Sequence, residues 1–481
     1  MAKILLKEAV AGHPDYRFRH PIDIDIEDGN NVVVIGRNGS GKSMLVDIML
    51  SNILCPKPSV VCISENGQEL SREQVKYMSF RDIYRMSDNK PTYYQQRWNA
   101  TENEESPLVT DIIGEEKCQA NMRLIRSLHI EGILGKRLIF LSSGELRKMQ
   151  IFRALLTSPR VLVIDNPYIG LDAESRDIVN ELLNDISTKE KIQIMLVLSN
   201  PADVPSFIDK IIAVRDMSVM PVMNREDFLS DTELHEKLFG CETNPELPAN
   251  SQRTEEKPYE NAVIMNKVHI RYFTKQILKD LDWTVKRGEK WALLGSNGCG
   301  KSTLLSLVCG DNPQAYANDI TLFDCKRGSG ESIWEIKSHI GYLSPDMHTY
   351  YQHDMPCLDV VATGFFDTVG LHRKPKDEQR QLALEWMKVF GAEHLAGKSF
   401  VKISYGEQRL VLLTRVFVKS PSLLILDEPL HGLDVGKKRL AKSVIEKYCA
   451  TDDVTLIYVT HYRHEIPSVV TKEKVLVKIE N

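Results

Sequence analysis

An internal duplication limits what this chain can fold into more than any other feature. Gly36-Arg37-Asn38-Gly39-Ser40-Gly41-Lys42-Ser43 returns as Gly295-Ser296-Asn297-Gly298-Cys299-Gly300-Lys301-Ser302, 259 residues later. Leu141-Ser142-Ser143-Gly144-Glu145 returns as Ile403-Ser404-Tyr405-Gly406-Glu407, at an offset of 262. Val163-Ile164-Asp165-Asn166-Pro167 returns as Ile425-Leu426-Asp427-Glu428-Pro429, and Gly170-Leu171-Asp172 as Gly432-Leu433-Asp434, both again at 262. Four motifs in one order at a near-constant offset make two like domains, expected at 1–224 and 259–481. Length alone, at roughly 150 residues per domain, would have suggested about three.

The joining stretch, 225–258, holds nine acidic residues (Glu226, Asp227, Asp231, Glu233, Glu236, Glu242, Glu246, Glu255, Glu256) and four basic ones (Arg225, Lys237, Arg253, Lys257). Its net −5 equals the formal charge of the whole chain, so the two domains together are neutral. Composition thus excludes a globally basic, phosphate-hungry protein, though not a local basic groove. The second half of the stretch, rich in Pro, Asn and Glu, reads as a linker, and Arg225 to Phe239 as one short helix. Nine cysteines without a C-x-x-C pair read as free thiols. No run approaches the ~18 apolar residues of a membrane span, and the charged N-terminus is no signal peptide, so a cytoplasmic location is expected.

Each domain opens with a half-exposed strand. Ile22, Ile24 and Ile26 alternate with acidic residues before Gly29, and Leu281, Trp283 and Val285 alternate with polar ones before Gly288. Apolar strands then alternate with helical stretches, which predicts an α/β core around a parallel sheet.

G-x-x-x-x-G-K-S between a strand and a helix is a phosphate-binding loop. Gly36, Asn38, Gly39 and Gly41, and likewise Gly295, Asn297, Gly298 and Gly300, allow backbone N–H groups to turn toward one anion. Lys42 and Lys301 reach the β- and γ-phosphates, and the Ser43 and Ser302 hydroxyls suit Mg²⁺. Asp165 and Asp427, each closing an apolar strand, fit the second Mg²⁺ anchor of such proteins. Glu428 follows Asp427 and is placed to polarise an attacking water; the first domain has Asn166 there, which accepts no proton. The apolar run Thr455 to Val459 leads to His461, which reads equally as a γ-phosphate partner or as a histidine that merely ends a strand, where the first domain ends its strand at Asn200. Ser142-x-Gly144-Glu145 and Ser404-x-Gly406-Glu407 each open a helix. The motif reads either as an ordinary capping box or as a second anion-binding device. Its place 23 residues before the strand-end Asp in both domains favours the second reading.

With these motifs in this order over nearly the whole chain, the sequence resembles the ATP-binding cassette (ABC) superfamily. Leu304-Leu305-Ser306-Leu307, Cys309-Gly310-Asp311-Asn312-Pro313-Gln314, Gly328-Ser329-Gly330-Glu331 and His339-Ile340-Gly341-Tyr342 narrow the resemblance to the molybdenum-transport ATP-binding protein family ModF, also called photorepair protein PhrA. The resemblance implies an α/β fold of two tandem P-loop NTPase cassettes, each with an N-terminal antiparallel β subdomain, a parallel-sheet core and a helical signature subdomain. It also implies two ATPs with Mg²⁺ held between the halves, each on one P-loop and under the other half's signature. One site would join Lys301, Ser302, Thr303, Asp427, Glu428 and His461 with Ser142 and Gly144. The other would join Lys42, Ser43 and Asp165 with Ser404 and Gly406, and lacks the water-activating pair. Tyr272 is the implied adenine platform of the second cassette, with Tyr16 or Phe18 as candidates in the first. Gln96 or Gln95 is the implied Mg²⁺-linked glutamine of the first cassette; the second has none at that point, with Asp346 as a substitute.

Two functions compete. One is an ATPase serving molybdate-type transport through a separate membrane permease, peripheral at the inner face of the membrane. The other is an ATP-driven switch on a macromolecule such as the ribosome. The acidic connector disfavours RNA, so transport ranks first.

Overall fold

The computed structural model describes residues 2–65, 68–79, 107–138, 141, 143–168, 171, 173–240, 245–248, 258–272, 275–296, 298–451 and 453–479. These fall into two compact units, the first of the described residues up to 240 together with 434–436, the second of the remaining ones from 245 on.

In the first unit, strands β1 (Lys3–Ala9) and β2 (Ile22–Ile26) precede β3 (Val32–Ile35), which leads into helix α1 (Lys42–Met49). Strands β4 (Val60–Glu65), β5 (Gln68–Glu69) and β6 (Val75–Ser79) follow. Short helices α2 (Val109–Ile113), α3 (Glu115–Ala120) and α4 (Met122–Ser127) form the helical part, before α5 (Ser143–Leu155), β7 (Val161–Asp165), α6 (Ala173–Lys189) and β8 (Gln193–Leu198). The unit closes with β9 (Lys210–Arg215), β10 (Ser218–Val219), β11 (Met223–Asn224), α7 (Arg225–Ser230) and α8 (Thr232–Phe239). An antiparallel sheet runs β2-β1-β4-β5, and a second sheet runs β10-β9-β3-β8-β7-β6 with β11 on β9. Pairings among β6, β7, β8, β3 and β9 are parallel.

The sequence patterns explain both sheets. Alternation in β2 buries its three isoleucines and exposes its two aspartates, as a strand with one solvated face requires. β3, and β7 up to its closing Asp165, are apolar and buried throughout, as central parallel strands covered on both faces must be.

The second unit repeats the plan. It contains β12 (Asn261–Tyr272), β13 (Lys275–Lys286), β14 (Lys290–Leu294), α9 (Lys301–Val308), β15 (Asp319–Leu322), β16 (Cys325–Lys326), α10 (Ile333–His339) and β17 (Ile340–Leu343). Next come α11 (Cys357–Ala362), α12 (Asp377–Val389), α13 (Tyr405–Phe417), β18 (Leu423–Asp427), α14 (Val435–Tyr448), β19 (Thr455–Val459) and β20 (Lys472–Val475). Its antiparallel sheet is β13-β12-β15-β16 and its parallel sheet β17-β18-β19-β14-β20. That parallel order matches β6-β7-β8-β3-β9 strand for strand.

The stretch read as a linker from residue 225 is partly domain. Arg225 to Phe239 forms two helices rather than one, because the Asp231 side chain caps a new start by accepting from the Leu234 N–H at 2.8 Å. Phe228, Leu234, Leu238 and Phe239 are buried in the first unit's core. At the other end, Lys447 Nζ of α14 donates to the carbonyl of Pro245 at 2.7 Å. No described helix is long and apolar enough to cross a membrane.

Candidate functional site

In both units the phosphate-binding loop, the strand-end Asp and the residue after the neighbouring strand emerge at the carboxyl edge of one parallel sheet. Open α/β sheets bind ligands there. In the second unit β19 lies between β18 and β14, which brings His461 between Asp427 and the glycine loop.

The loop joins β14 to α9. Gly298 and Gly300 take left-handed backbones, φ 77° and 102°, which a side chain disfavours. A Cβ at Gly295 would sit 2.6 Å from both Cys299 Sγ and the Leu476 carbonyl, so this position admits only hydrogen. Lys301 Nζ folds back to donate to the carbonyls of Gly295 at 2.7 Å and Ser296 at 3.0 Å. No acidic residue occupies the first turn of α9, leaving its N-terminal N–H groups and dipole to an anion. Ser302 is exposed there, whereas Thr303 is buried. Asn297 lies outside the described residues.

Asp427 is buried at the end of β18. The next residue, Glu428, has φ 48°, a left-handed conformation rare for a side-chain residue. Its N–H donates to the Val459 carbonyl at 2.9 Å, which ties the turn to β19. His461 Nε2 contacts Glu428 Oε1 at 2.8 Å. Burial alone would raise the Glu428 carboxyl. The His461 hydrogen bond and the charges of His431, His461 and Lys301 outweigh it and lower the pKa to about 2. Glu428 is therefore a carboxylate at neutral pH.

The sequence reading missed Arg409. Fully buried on α13, it donates from Nη2 to the carbonyls of Asp427 at 2.7 Å and Glu428 at 2.8 Å, and from Nη1 to Ser344 at 2.5 Å. A signal existed: Arg147 stands at the same place in the first repeat, five residues after its motif Ser.

Ser404 and Glu407 form a reciprocal capping box at the start of α13. The Ser404 N–H donates to Glu407 Oε2 at 2.8 Å, and the Glu407 N–H to Ser404 Oγ at 3.4 Å. Gly406 is buried behind it. The bland reading of the motif thus holds locally, and it orients the helix start. Tyr272 ends β12 half-buried, its hydroxyl accepting from Asn312 Nδ2 at 2.9 Å, and burial raises its pKa. The side chain of Asp346 lies outside the described residues.

The first unit keeps the loop and has Asn166 where the second has Glu428. Gly39 and Gly41 have φ 76° and 108°, and a Cβ at Gly36 would lie 2.0 Å from the Val214 carbonyl. Lys42 Nζ donates to the carbonyls of Gly36 and Arg37, both at 2.8 Å, with Ser43 exposed beside it. Of the two aromatic candidates, Phe18 packs on the loop, 3.2 Å from where a Gly41 Cβ would be, whereas Tyr16 is exposed. Asp165 accepts from the Tyr77 hydroxyl at 3.2 Å and from Asn166 Nδ2 at 2.6 Å. Asn166 repeats the left-handed turn with φ 53°. The strand register corrects one expectation: Val197 lies beside Asp165 as Val459 lies beside Asp427, so Ser199, not Asn200, holds the place of His461. Asn200 caps a short turn, its side chain accepting from the Ala202 N–H at 3.1 Å. Gly144 packs near Ser175 of α6; Ser142, Gln95 and Gln96 lie outside the described residues.

The sequence profile of the ABC transporter family matches residues 19–169 and 278–431. ABC transporter ATP-binding protein ModF of Escherichia coli is 33% identical, over 93% of this chain and 91% of that protein. An uncharacterized ABC transporter ATP-binding protein of Schizosaccharomyces pombe is 26% identical, over 94% and 93%. Among solved structures, the archaeal ribosome recycling factor, crystallised with a ribosomal stalk protein, shares the fold at TM-score 0.55. It is 16% identical, with 97% of this chain and 87% of that chain covered. The duplicated loops, strand-end carboxylates and sheet order lead to the same conclusion as these likenesses: the chain belongs to the ABC transporter family of ATP-binding proteins, as a tandem-cassette ATPase.

Proposed function

We propose that each P-loop takes one ATP and that turnover runs mainly on the second. The loop N–H groups, the α9 N-terminus and Lys301 hold the phosphates, once Lys301 leaves the Gly295 and Ser296 carbonyls. The Ser302 hydroxyl and Asp427 carboxylate are hard oxygen donors of the kind Mg²⁺ prefers, and Ser43 and Asp165 are their counterparts. Mg²⁺ held there supplies neutralising charge at the phosphates. Glu428, ionised and fixed by His461, orients the water that attacks the γ-phosphate. Tyr272 offers its ring to the adenine. The first P-loop binds ATP and turns it over poorly, because Asn166 stands in place of the carboxylate and Ser199 in place of the imidazole.

The observation that carries this reading is the Glu428–His461 pair at 2.8 Å, set against Asn166, whose amide donates to Asp165, and Ser199 at the matching places of the first unit. Glu428→Gln should reduce ATP turnover by roughly a hundredfold or more while ATP still binds. Retention of most activity would overturn the assignment.

We further propose that this ATPase serves transport, of molybdate type as the family resemblance implies, by acting with a permease on another chain. Pulldown with the Glu428→Gln protein in ATP should recover a membrane protein. Recovery of ribosomes alone would replace transport by a macromolecular switch.

A further inference from the structure

Within the second unit, α13 presents two side chains one turn apart on one face, Tyr405 and Arg409. Both reach the short loop that runs from Glu428 to Gly432. Arg409 holds its beginning through the carbonyls of Asp427 and Glu428. Tyr405 fills the space over its end: a Cβ on Gly432 would lie 2.4 Å from Tyr405 Cε1 and 2.8 Å from Cδ1. Gly432 has φ 76°, so its lack of a side chain serves both the backbone and the ring above it. On its other side the buried Tyr405 ring meets His348 edge-on, with centroids 5.1 Å apart and planes at 87°. His348 belongs to the turn Pro345–Tyr350, whose preceding residue, Ser344, is the third carbonyl held by Arg409. The loop carrying Glu428 is therefore gripped at both ends from one helix. The first repeat has Ser143, without a ring, in place of Tyr405.

We propose that Tyr405 is a positioning residue for ATP hydrolysis: its ring, wedged between Gly432 and His348, fixes the loop that aims Glu428. The role rests on the reading of Glu428 as the water-orienting carboxylate. Tyr405 touches no reacting atom in this account, and its effect passes through the loop backbone.

The test is a cycle of Tyr405→Ala, Gly432→Ala and the double variant in the full-length chain, with Tyr405→Phe as the conservative control. For each, kcat and KM for ATP and the melting temperature are measured. Tyr405→Ala should lower kcat roughly tenfold or more, since a misaimed catalytic group costs far more in turnover than in binding. KM for ATP should move by less than about threefold. Tyr405→Phe should keep most of kcat, because the contacts use the ring edge and not the hydroxyl. Gly432→Ala should be damaging with Tyr405 present and markedly less so with Tyr405→Ala, since the clash is then gone. If Tyr405→Ala melts too low to assay, Tyr405→Leu takes its place in the same cycle. A kcat for Tyr405→Ala within about twofold of wild type, or an equal cost of Gly432→Ala in both backgrounds, overturns the proposal. Glu428→Gln run alongside separates the two ideas. Its activity tests the carboxylate, whereas the Tyr405–Gly432 coupling tests the wedge.

Discussion

Glu428 carries opposing demands in one residue. Its backbone is held left-handed, a conformation that costs about 1–2 kcal/mol in a non-glycine residue, and its carboxylate is largely withdrawn from water. Asn166 repeats the turn with φ 53° although its side chain carries no charge. The strain therefore belongs to the scaffold. In both units the N–H of this residue reaches the adjacent strand, at Val197 or Val459, and the left-handed turn makes that bond possible. The charge is another matter. Glu428 titrates at about 2 when folded against 4.5 ordinarily, so the folded form favours its carboxylate. The stabilisation is present above about pH 4.5 and is lost as pH falls toward 2, with an upper size of about 3 kcal/mol. Glu428→Gln lacks this dependence. Urea unfolding should show wild type losing stability relative to Glu428→Gln between about pH 6 and about pH 3. A stability difference that does not change with pH would exclude the ion pair.

Helices α7 and α8 show how composition misleads at the scale of an element. Their acidic residues look like connector, yet acidic side chains only need a solvated face. Leu234 and Leu238, spaced i, i+4, with Phe228 and Phe239 supply the buried one. Phe228→Ala should destabilise the first unit by roughly 3–5 kcal/mol, read as a lowered urea midpoint. A change under about 1 kcal/mol would return the segment to the status of a linker. The sheets were legible because continuous apolar runs such as Val32–Ile35 and Leu423–Asp427 leave little alternative to a central parallel strand. The P-loops were legible because their glycines, lysine and serine are contiguous. The grip of α13 was not, because Arg409 meets Glu428, and Tyr405 meets Gly432, only after a helix and a strand have packed. Which of Tyr16 and Phe18 lies on the first glycine loop also needed three dimensions, since both precede it by similar lengths.

Across the whole molecule, duplication has kept the frame and let the chemistry diverge. Arg176 pairs with Asp203 at 2.6 Å in the first unit, and Lys438 with Glu465 at 2.6 Å in the second. These partners stand 262 positions apart in both members, joining the helix after the G-L-D loop to the turn after the third strand. Glu465 also accepts from Thr460 Oγ1, next to His461. The same brace thus survives beside Ser199, which holds the place of His461 in the first unit. Reactivation of the first P-loop should therefore need few changes, but more than one. Asn166→Glu alone sets a second carboxylate where an amide now donates to Asp165 at 2.6 Å, and repulsion between like charges would disturb both. Asn166→Glu with Ser199→His adds an imidazole at the place His461 holds beside Glu428 in the other unit. In a Glu428→Gln background, which silences the second site, the single Asn166→Glu change should leave turnover near zero. The pair should raise it by roughly tenfold or more over that background, at the low end of what a placed general base contributes. Equal activity for the single and double variants would mean that the imidazole is dispensable. No gain from either would place the loss outside these two residues.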